Sequence, residues 1–397
     1  MTCVRNVVVG GGVMGCAIAY HLSRAGEDVV LLERGELNRE ASGANAGTIH
    51  LQIRQHENRG RGRLSLIERS AEEWRALEGE LEKDIGLRMH GGLMLAHSED
   101  EVNRLQQKME LDASLGLEPE FLTGAELLQL ERALSPRIAA AVRSPHEGSA
   151  NPLLVTEAFA ARARDYGAVI KTHTAVTSLS MPEAGRFLVG TTDGALLEAE
   201  RVVSAAGAWT GSVSRLLGIE LPVWGYPLSV SVTEALPPLL SHVVQHIGRK
   251  LTMKQTAYGT VLLGGGWLGT DEGVVPKEAT FEGIAGNAWE AIDVLPALAS
   301  ARLLRSWAGT IAVTADALPI VGEDPRAPGF VVVVVPVGAA GYTVGPAVAR
   351  IAANAVTTGV WPEEWAEYRP DRVALKPPWP AGSLVDCRQP TGGGDDG

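Results

Sequence analysis

The stretch VVVGGGVMGCAIAYHLSRAGEDVVLLE, from Val7 to Glu33, constrains this chain more than any other part of it. A β-branched run leads into a G-x-G-x-x-G frame, Gly10, Gly12 and Gly15, and the frame opens onto a helix-like pattern. Each glycine meets a separate physical demand. Gly10 allows the tight turn out of the strand, Gly12 lets backbone approach a pyrophosphate, and Gly15 lets helix and sheet pack closely. The helix start, with Val13 and Met14, offers free N–H groups and a positive dipole end to phosphates. Ala19 and Leu22 fall on the sheet-facing side, and Gly26 suits a stop. A second apolar run, Val29 to Leu32, ends in Glu33, an acid suited to ribose hydroxyls, with Arg34 beside it. The series of strand, turn, helix, strand and acid predicts a dinucleotide-binding unit. By itself it fits NAD as well as FAD.

At 397 residues the chain is long enough for two or three domain-sized units. Its 35 Lys and Arg stand against 47 Asp and Glu, a net charge of −12 with no basic run, which argues against a nucleic-acid partner. Cys3, Cys16 and Cys387 have no metal-ligand or C-x-x-C spacing, so this chain alone can build neither an iron–sulfur cluster nor a disulfide framework. A reducing, cytoplasmic setting fits. No signal-peptide pattern is visible, and no stretch approaches the ~20 apolar residues of a membrane helix.

Organisation along the chain is interleaved. Leu64 to Leu81, with Trp74 in its middle, and Leu153 to Tyr166 carry helical spacing. MHGGLMLA reads as a strand leaving the nucleotide unit, and AVIKTHTAVTSL as a strand after a helix stop at Gly167. RVVSAAGAWT puts a strand into a small-residue turn, a second place for close backbone approach to a ligand. Residues 223–268 alternate as strands, with a turn at Gly259. FVVVVVP and the glycine-rich VGAAGYTVGPAVARIAANAV read as a strand, a turn and a helix, and the tail from Lys376 reads as unpacked.

Four motifs in order, the N-terminal fingerprint, ASGANAG at Ala41 to Gly47, AAGAW at Ala205 to Trp209 and WAGTIAVTADALPIVG at Trp307 to Gly322, resemble the D-amino-acid oxidase and sarcosine oxidase superfamily of FAD-dependent amine oxidoreductases. GTIHLQ, LTMKQTAYGTVLLGGGW and AAGYTVGP look most like the B (beta) subunits of opine oxidases and hydroxyproline dehydrogenases. The resemblance implies an α/β fold, a Rossmann-like FAD-binding domain interleaved with an antiparallel-sheet substrate domain. FAD segments are expected at 1–89, 148–222 and 305–368, substrate segments at 90–147 and 223–304, and a flexible tail at 369–397.

The same resemblance implies FAD with its AMP half on Gly10 to Gly15 and Glu33, backbone contact at Val176, and Ala206, Gly207 and Trp209 near the cofactor. Its ring would lie over Ser42, Ala46, Gly47 and Thr48, with the helix start at Gly341, Tyr342 and Thr343 aimed at the flavin N1 and C2 carbonyl, where negative charge collects on reduction. The implied reaction is hydride transfer from the α-carbon of an amine to flavin N5, the cofactor carrying the redox step.

Thr48, His50 and Lys254 are the catalytic candidates, and Arg54, Tyr258 and Tyr342 the substrate-binding ones. Lys254 and Gln255 are adjacent on one strand, so only one of them faces the cavity. Many amino-acid oxidases of the superfamily carry an arginine two positions after the glycine of W-A-G, gripping the substrate carboxylate. Ile311 stands there in this chain, and Arg54, Lys254 and His50, in that order, are the candidates to replace it. The implied substrate is a secondary amino acid such as a hydroxyproline or an opine. An oxygen-using oxidase of glycine, sarcosine or a D-amino acid and a flavin-bearing electron-relay subunit are the alternatives. The subgroup implies partner chains, a flavin- or nucleotide-binding subunit and a small iron–sulfur subunit.

Overall fold

A computed structural model describes residues 2–52, 61–114, 118–270, 278–336 and 340–372. The fingerprint folds as a strand β1 (Thr2–Val9), a helix α1 (Val13–Arg24) and a strand β2 (Val29–Leu32). Gly26, at φ +84°, turns the chain just past the helix end. These strands sit in the middle of the first sheet. Its order is Ile320–Glu323, Phe330–Val334, Leu196–Ser204, β1, β2, Val169–Lys171, and the last five strands are mutually parallel.

Alternation explains why these strands read as continuous apolar runs. Val8, Leu31 and Val203 point to a face covered by α1, Pro152–Asp165 and Gly341–Thr358, while Val7, Val30 and Val202 point to the other, under Leu179, Phe187 and Val189. Parallel sheets buried on both faces need apolar residues at every position. The helix Pro152–Asp165 starts on an Asn151 cap and stops before Gly167, at φ +94°. AVIKTHTAVTSL forms two strands rather than one, Val169–Lys171 and Val176–Glu183, because His173 takes a left-handed φ of +52° between them.

The second sheet runs Leu303–Thr314, Val223–Ala235, Thr260–Gly264, Thr252–Gln255, Val243–His246, Gly92–Ala96, Ala140–Ser144, Glu120–Thr123. It is antiparallel except where Val243–His246 pairs in parallel with Gly92–Ala96. A two-stranded ribbon, Thr48–Ile49 on Gly148–Ser149, completes the sheets. Helix Arg61–Leu81 contains Trp74, which is fully buried. The tail from Lys376 lies outside the described residues.

The glycines of the fingerprint differ in what they tolerate. A Cβ on Gly15 would sit 1.9 Å from the Gly10 carbonyl oxygen, whereas one on Gly345 would meet Val13 Cγ1 at 3.5 Å, an ordinary contact. Gly15→Ala is therefore expected to destabilise by about 1–3 kcal/mol through overpacking. Gly345→Ala should be neutral or stabilising by up to about 1 kcal/mol from helix propensity. Denaturant melts of the two variants beside the parent check this ordering.

Candidate active site

At the nucleotide end, two backbone turns meet. Gly10, at φ +113°, brings its α-carbon so near the Ala205 carbonyl that a Cβ would lie 2.6 Å from that oxygen. The Ala205 N–H in turn donates to the Val9 carbonyl at 2.9 Å. After it, Ala206 and Gly207, at φ +53°, open a short turn through Trp209. Arg34 lies over the Trp209 ring at 3.8 Å and pairs with Glu40 at 3.0 Å. The Glu33 carboxylate accepts the Gly11 N–H at 2.7 Å and the Gly35 N–H at 2.8 Å. Val176 opens its strand two residues after Thr174, whose N–H donates to the Glu33 carbonyl at 2.8 Å.

Helix α1 has no side-chain cap and no acid in its first turn. The Val13 N–H donates to the Ser42 hydroxyl at 3.0 Å, which ties the fingerprint to the ASGANAG segment. Half-buried Met14 follows in the same turn, where helix N–H groups lack partners of their own.

At the other end, the segment from Ala46 to His50 lies against the last helix. Gly47 takes φ +68°, and a Cβ there would come within 2.2 Å of the Ala150 oxygen. Thr48 is buried and pairs with Ser149. The half-buried His50 donates its backbone N–H to Thr343 Oγ1 at 2.9 Å, and Trp74 Nε1 donates to the Thr343 carbonyl at 2.6 Å. The Tyr342 ring packs 5.2 Å from Trp74, and burial pushes its phenol far above the usual range. The helix Gly341–Thr358 lacks both a side-chain cap and a first-turn acid. Its entry strain falls on Ala340, at φ +54°, so the left-handed turn sits one residue before Gly341.

Of the adjacent pair on Thr252–Gln255, Lys254 faces inward. Its Nζ donates to the Gly47 carbonyl at 3.0 Å and the Ala150 carbonyl at 3.2 Å, and burial pulls the amine down to about 7. Gln255 faces the other way and stitches the loop at Leu236 to Leu240. Tyr258, by contrast, stands 85 % exposed on the turn that closes at Gly259, and its side chain joins none of these groups. Arg54 lies outside the described residues.

Gly309 of the W-A-G motif backs onto the short helix Ala41–Ala44, where a Cβ would meet Ala44 Cβ at 2.6 Å, and Trp307 Nε1 donates to the Ala44 carbonyl at 2.8 Å. Ile311 lies two residues on, thus on the same face, half-buried and directly across from Tyr226. Sequence reasoning passed over Tyr226, the Trp74–Thr343 bond and a buried carboxylate, Glu147, which accepts the Leu51 and Gln52 N–H groups at 2.7 and 2.5 Å. Only their positions in three dimensions mark them out.

The residues fit FAD. Neither candidate helix start has an N-cap side chain or a first-turn acid, and the buried Trp209 Nε1 and Tyr342 Oη have no hydrogen-bond partner among the described residues. Gly12 isolates the cofactor contribution, because a Cβ there meets only the Ser42 side chain, with Oγ at 2.9 Å. Gly12→Val should fold, with the parent far-ultraviolet circular dichroism, yet purify with little or no flavin absorbance.

Comparison with known proteins identifies the family. The family model described as FAD dependent oxidoreductase, DAO, matches residues 5–355. Glycine oxidase of Bacillus licheniformis is 31% identical over 336 residues, covering 81% of this chain and 84% of that one. The B-type subunit of opine oxidase from Rhizobium meliloti is 28% identical over 344 residues, covering 82% and 86%. The crystal structure of glycine oxidase from Geobacillus kaustophilus superposes with a TM-score of 0.86 at 25% identity, over 94% of this chain and 99% of that one. The chain therefore belongs to the DAO family of FAD-dependent oxidoreductases and acts on amino-acid or amine substrates.

Proposed function

We propose that the chain dehydrogenates a secondary amino acid of the hydroxyproline or opine type, as the catalytic subunit of a heteromeric, cytoplasmic complex. The likeness to the opine oxidase chain carries this reading, and Ile311 argues against the carboxylate grip of plain D-amino-acid oxidation. On the face turned toward Ala41–Ala44 it puts an alkyl group, with the Tyr226 phenol across from it, where the amino-acid oxidases of the superfamily hold a guanidinium. A carboxylate buried without a cation costs several kcal/mol, so a substrate gripped at that point is disfavoured. The likeness to the Rhizobium meliloti opine oxidase chain, which its name makes one component of a larger enzyme, supports the partner chains. Those partners would be a flavin- or nucleotide-binding subunit and a small iron–sulfur subunit, since this chain has three cysteines and no cluster spacing. Among the described residues no helix is long and apolar enough to cross a membrane.

Bound FAD supplies the two-electron acceptor for the hydride from the substrate α-carbon. The chain's residues supply binding, orientation and proton handling. The first turn of Gly341–Thr358, with no side-chain cap at Ala340 and no acid, would present its N–H groups and a positive dipole end to developing negative charge. Thr48 and His50 would lie beside the bound flavin, and Arg54 is the first choice to hold the carboxylate. Lys254 takes the proton that a substrate ammonium must lose before hydride can leave. Burial holds its amine near 7, so a large fraction is the free base at neutral pH.

The sign of the pH dependence follows. The free base accumulates as pH rises, so kcat/KM should climb through an apparent pKa of about 7 and level off. Lys254→Met should erase that limb and lower kcat/KM by about 10²–10⁴-fold. A pH profile unchanged by the substitution would exclude Lys254 as the base.

Anaerobic flavin bleaching against D- and L-hydroxyproline, sarcosine, glycine and opines tests the substrate class. The proposal expects the cyclic or N-substituted amino acids to bleach fastest and the reduced chain to reoxidise slowly in air relative to an artificial acceptor. Fastest bleaching by glycine with rapid reoxidation in air would favour the oxygen-using oxidase, the second reading, which the likeness to glycine oxidase supports.

A further inference from the structure

The segment Gly47–Gln52 is tied down at three points. Lys254 Nζ holds the Gly47 carbonyl at its start, Thr343 Oγ1 holds the His50 N–H in its middle, and Glu147 holds its end. Glu147 lies in the loop between Ala140–Ser144 and Gly148–Ser149 and is fully buried. Its Oε1 accepts the N–H groups of both Leu51 and Gln52, and its Oε2 accepts from Gln52 Nε2 at 3.3 Å. Gln52 is held again at its carbonyl, which accepts from Gln245 Nε2 at 3.4 Å. The neighbouring strand leaves room for the carboxylate by having no side chain at Gly92, where a Cβ would sit 1.9 Å from Oε2.

Leu51 is 0 % and Gln52 1 % exposed, so water cannot replace the acceptor for their amides. Burial pushes the carboxyl up to about 7, while the amide donors and Lys108 on Glu99–Ser114 pull it back. A carboxylate is a costly group to bury, and this one is turned onto Leu51 and Gln52, which directly follow Thr48 and His50. The loop that carries it continues into Gly148–Ser149, the partner strand of Thr48–Ile49, so both sides of that ribbon are referenced to one side chain.

We propose that Glu147 is a positioning residue for the flavin-side ribbon, fixing the placement of Thr48 and His50 through the Leu51 and Gln52 amides. This rests on the reading that puts Thr48 and His50 beside the ring. Removal of the acceptor frees two buried N–H groups, which must find water or other partners by moving the segment.

The test compares the FAD-loaded parent with Glu147→Ala and Glu147→Gln. Glu147→Gln keeps one oxygen to accept both amides, and Gln52 can turn its own amide, whose Oε1 has no hydrogen-bond partner among the described residues, toward the new NH2 group. In Glu147→Ala, hydrogen exchange at Leu51 and Gln52 should quicken by about tenfold or more. The visible flavin band should shift, and kcat should fall by about tenfold or more with KM changed far less. Glu147→Gln should restore the spectrum, the amide protection and most of kcat. Parent-like exchange and spectrum in a folded, FAD-loaded Glu147→Ala would overturn the proposal, as would a Glu147→Gln protein no better than Glu147→Ala. Should Glu147→Ala fail to fold, Glu147→Asp, one methylene short of the two amides, replaces it with the same expectations. Exchange and spectrum need no substrate, so they judge Glu147 even if the amine panel overturns the assigned substrate class.

Discussion

The close approach of two backbone turns, Gly10 against Ala205, is the contact on which the rest of the structure depends. It lets β1 end directly beside the strand Leu196–Ser204, its parallel neighbour, and lets α1 begin within the same turn. Gly15 then seats α1 against the Gly10 carbonyl, and Pro152–Asp165 and Gly341–Thr358 pack on either side of that helix. A side chain at any of these crowded points would push the helix layer off the sheet. Both turns lie at the carboxyl ends of their parallel strands, the place where nucleotides bind in open α/β sheets.

From these strand ends the fold connects to the second sheet through few but specific links. Val13 N–H to Ser42, Trp307 Nε1 to the Ala44 carbonyl and Lys254 Nζ to the Gly47 carbonyl all converge on residues 42–47. That segment is thus held on one side by helix α1 and on the other by two strands of the second sheet. Behind the helices, Arg350 clamps Glu73 through both carboxylate oxygens and also reaches Glu80, which Arg24 holds at 2.5 Å. Helices α1, Arg61–Leu81 and Gly341–Thr358 are locked together by this cluster on their polar sides.

Local pattern made the fingerprint, the helices around Trp74 and Leu153, and the buried strands legible, because period and glycine placement are properties of neighbours in sequence. What it left open was contact between distant segments. Alternation says that Lys254 and Gln255 face oppositely, and only the packing of Gly47 and Ala150 decides which one turns inward. Tyr258 follows the same strand so closely that a place in the cavity is plausible from sequence, yet the tight turn before Gly259 carries it into solvent. The parallel pair Gly92–Ala96 and Val243–His246 joins segments some 150 residues apart, and no local signal encodes it. Glu147 was illegible for the same reason, since its partners lie 95 and 96 positions earlier.

Two buried groups of opposite type grip opposite ends of Gly47–Gln52, and burial pulls the Lys254 amine down to about 7 and pushes the Glu147 carboxyl up to about 7. Lys254, a base depressed by burial, costs stability increasingly as pH falls from the ordinary amine range to that value. Glu147, an acid raised by burial, costs stability increasingly as pH rises from the ordinary carboxyl range to the same value. Both costs are therefore nearly complete around neutrality, where this pair contributes least to folding. Their charges add in the same direction. With rising pH the segment loses a positive charge at one end and gains a negative one at the other, so both changes turn the electrostatic field along Gly47–Gln52 the same way.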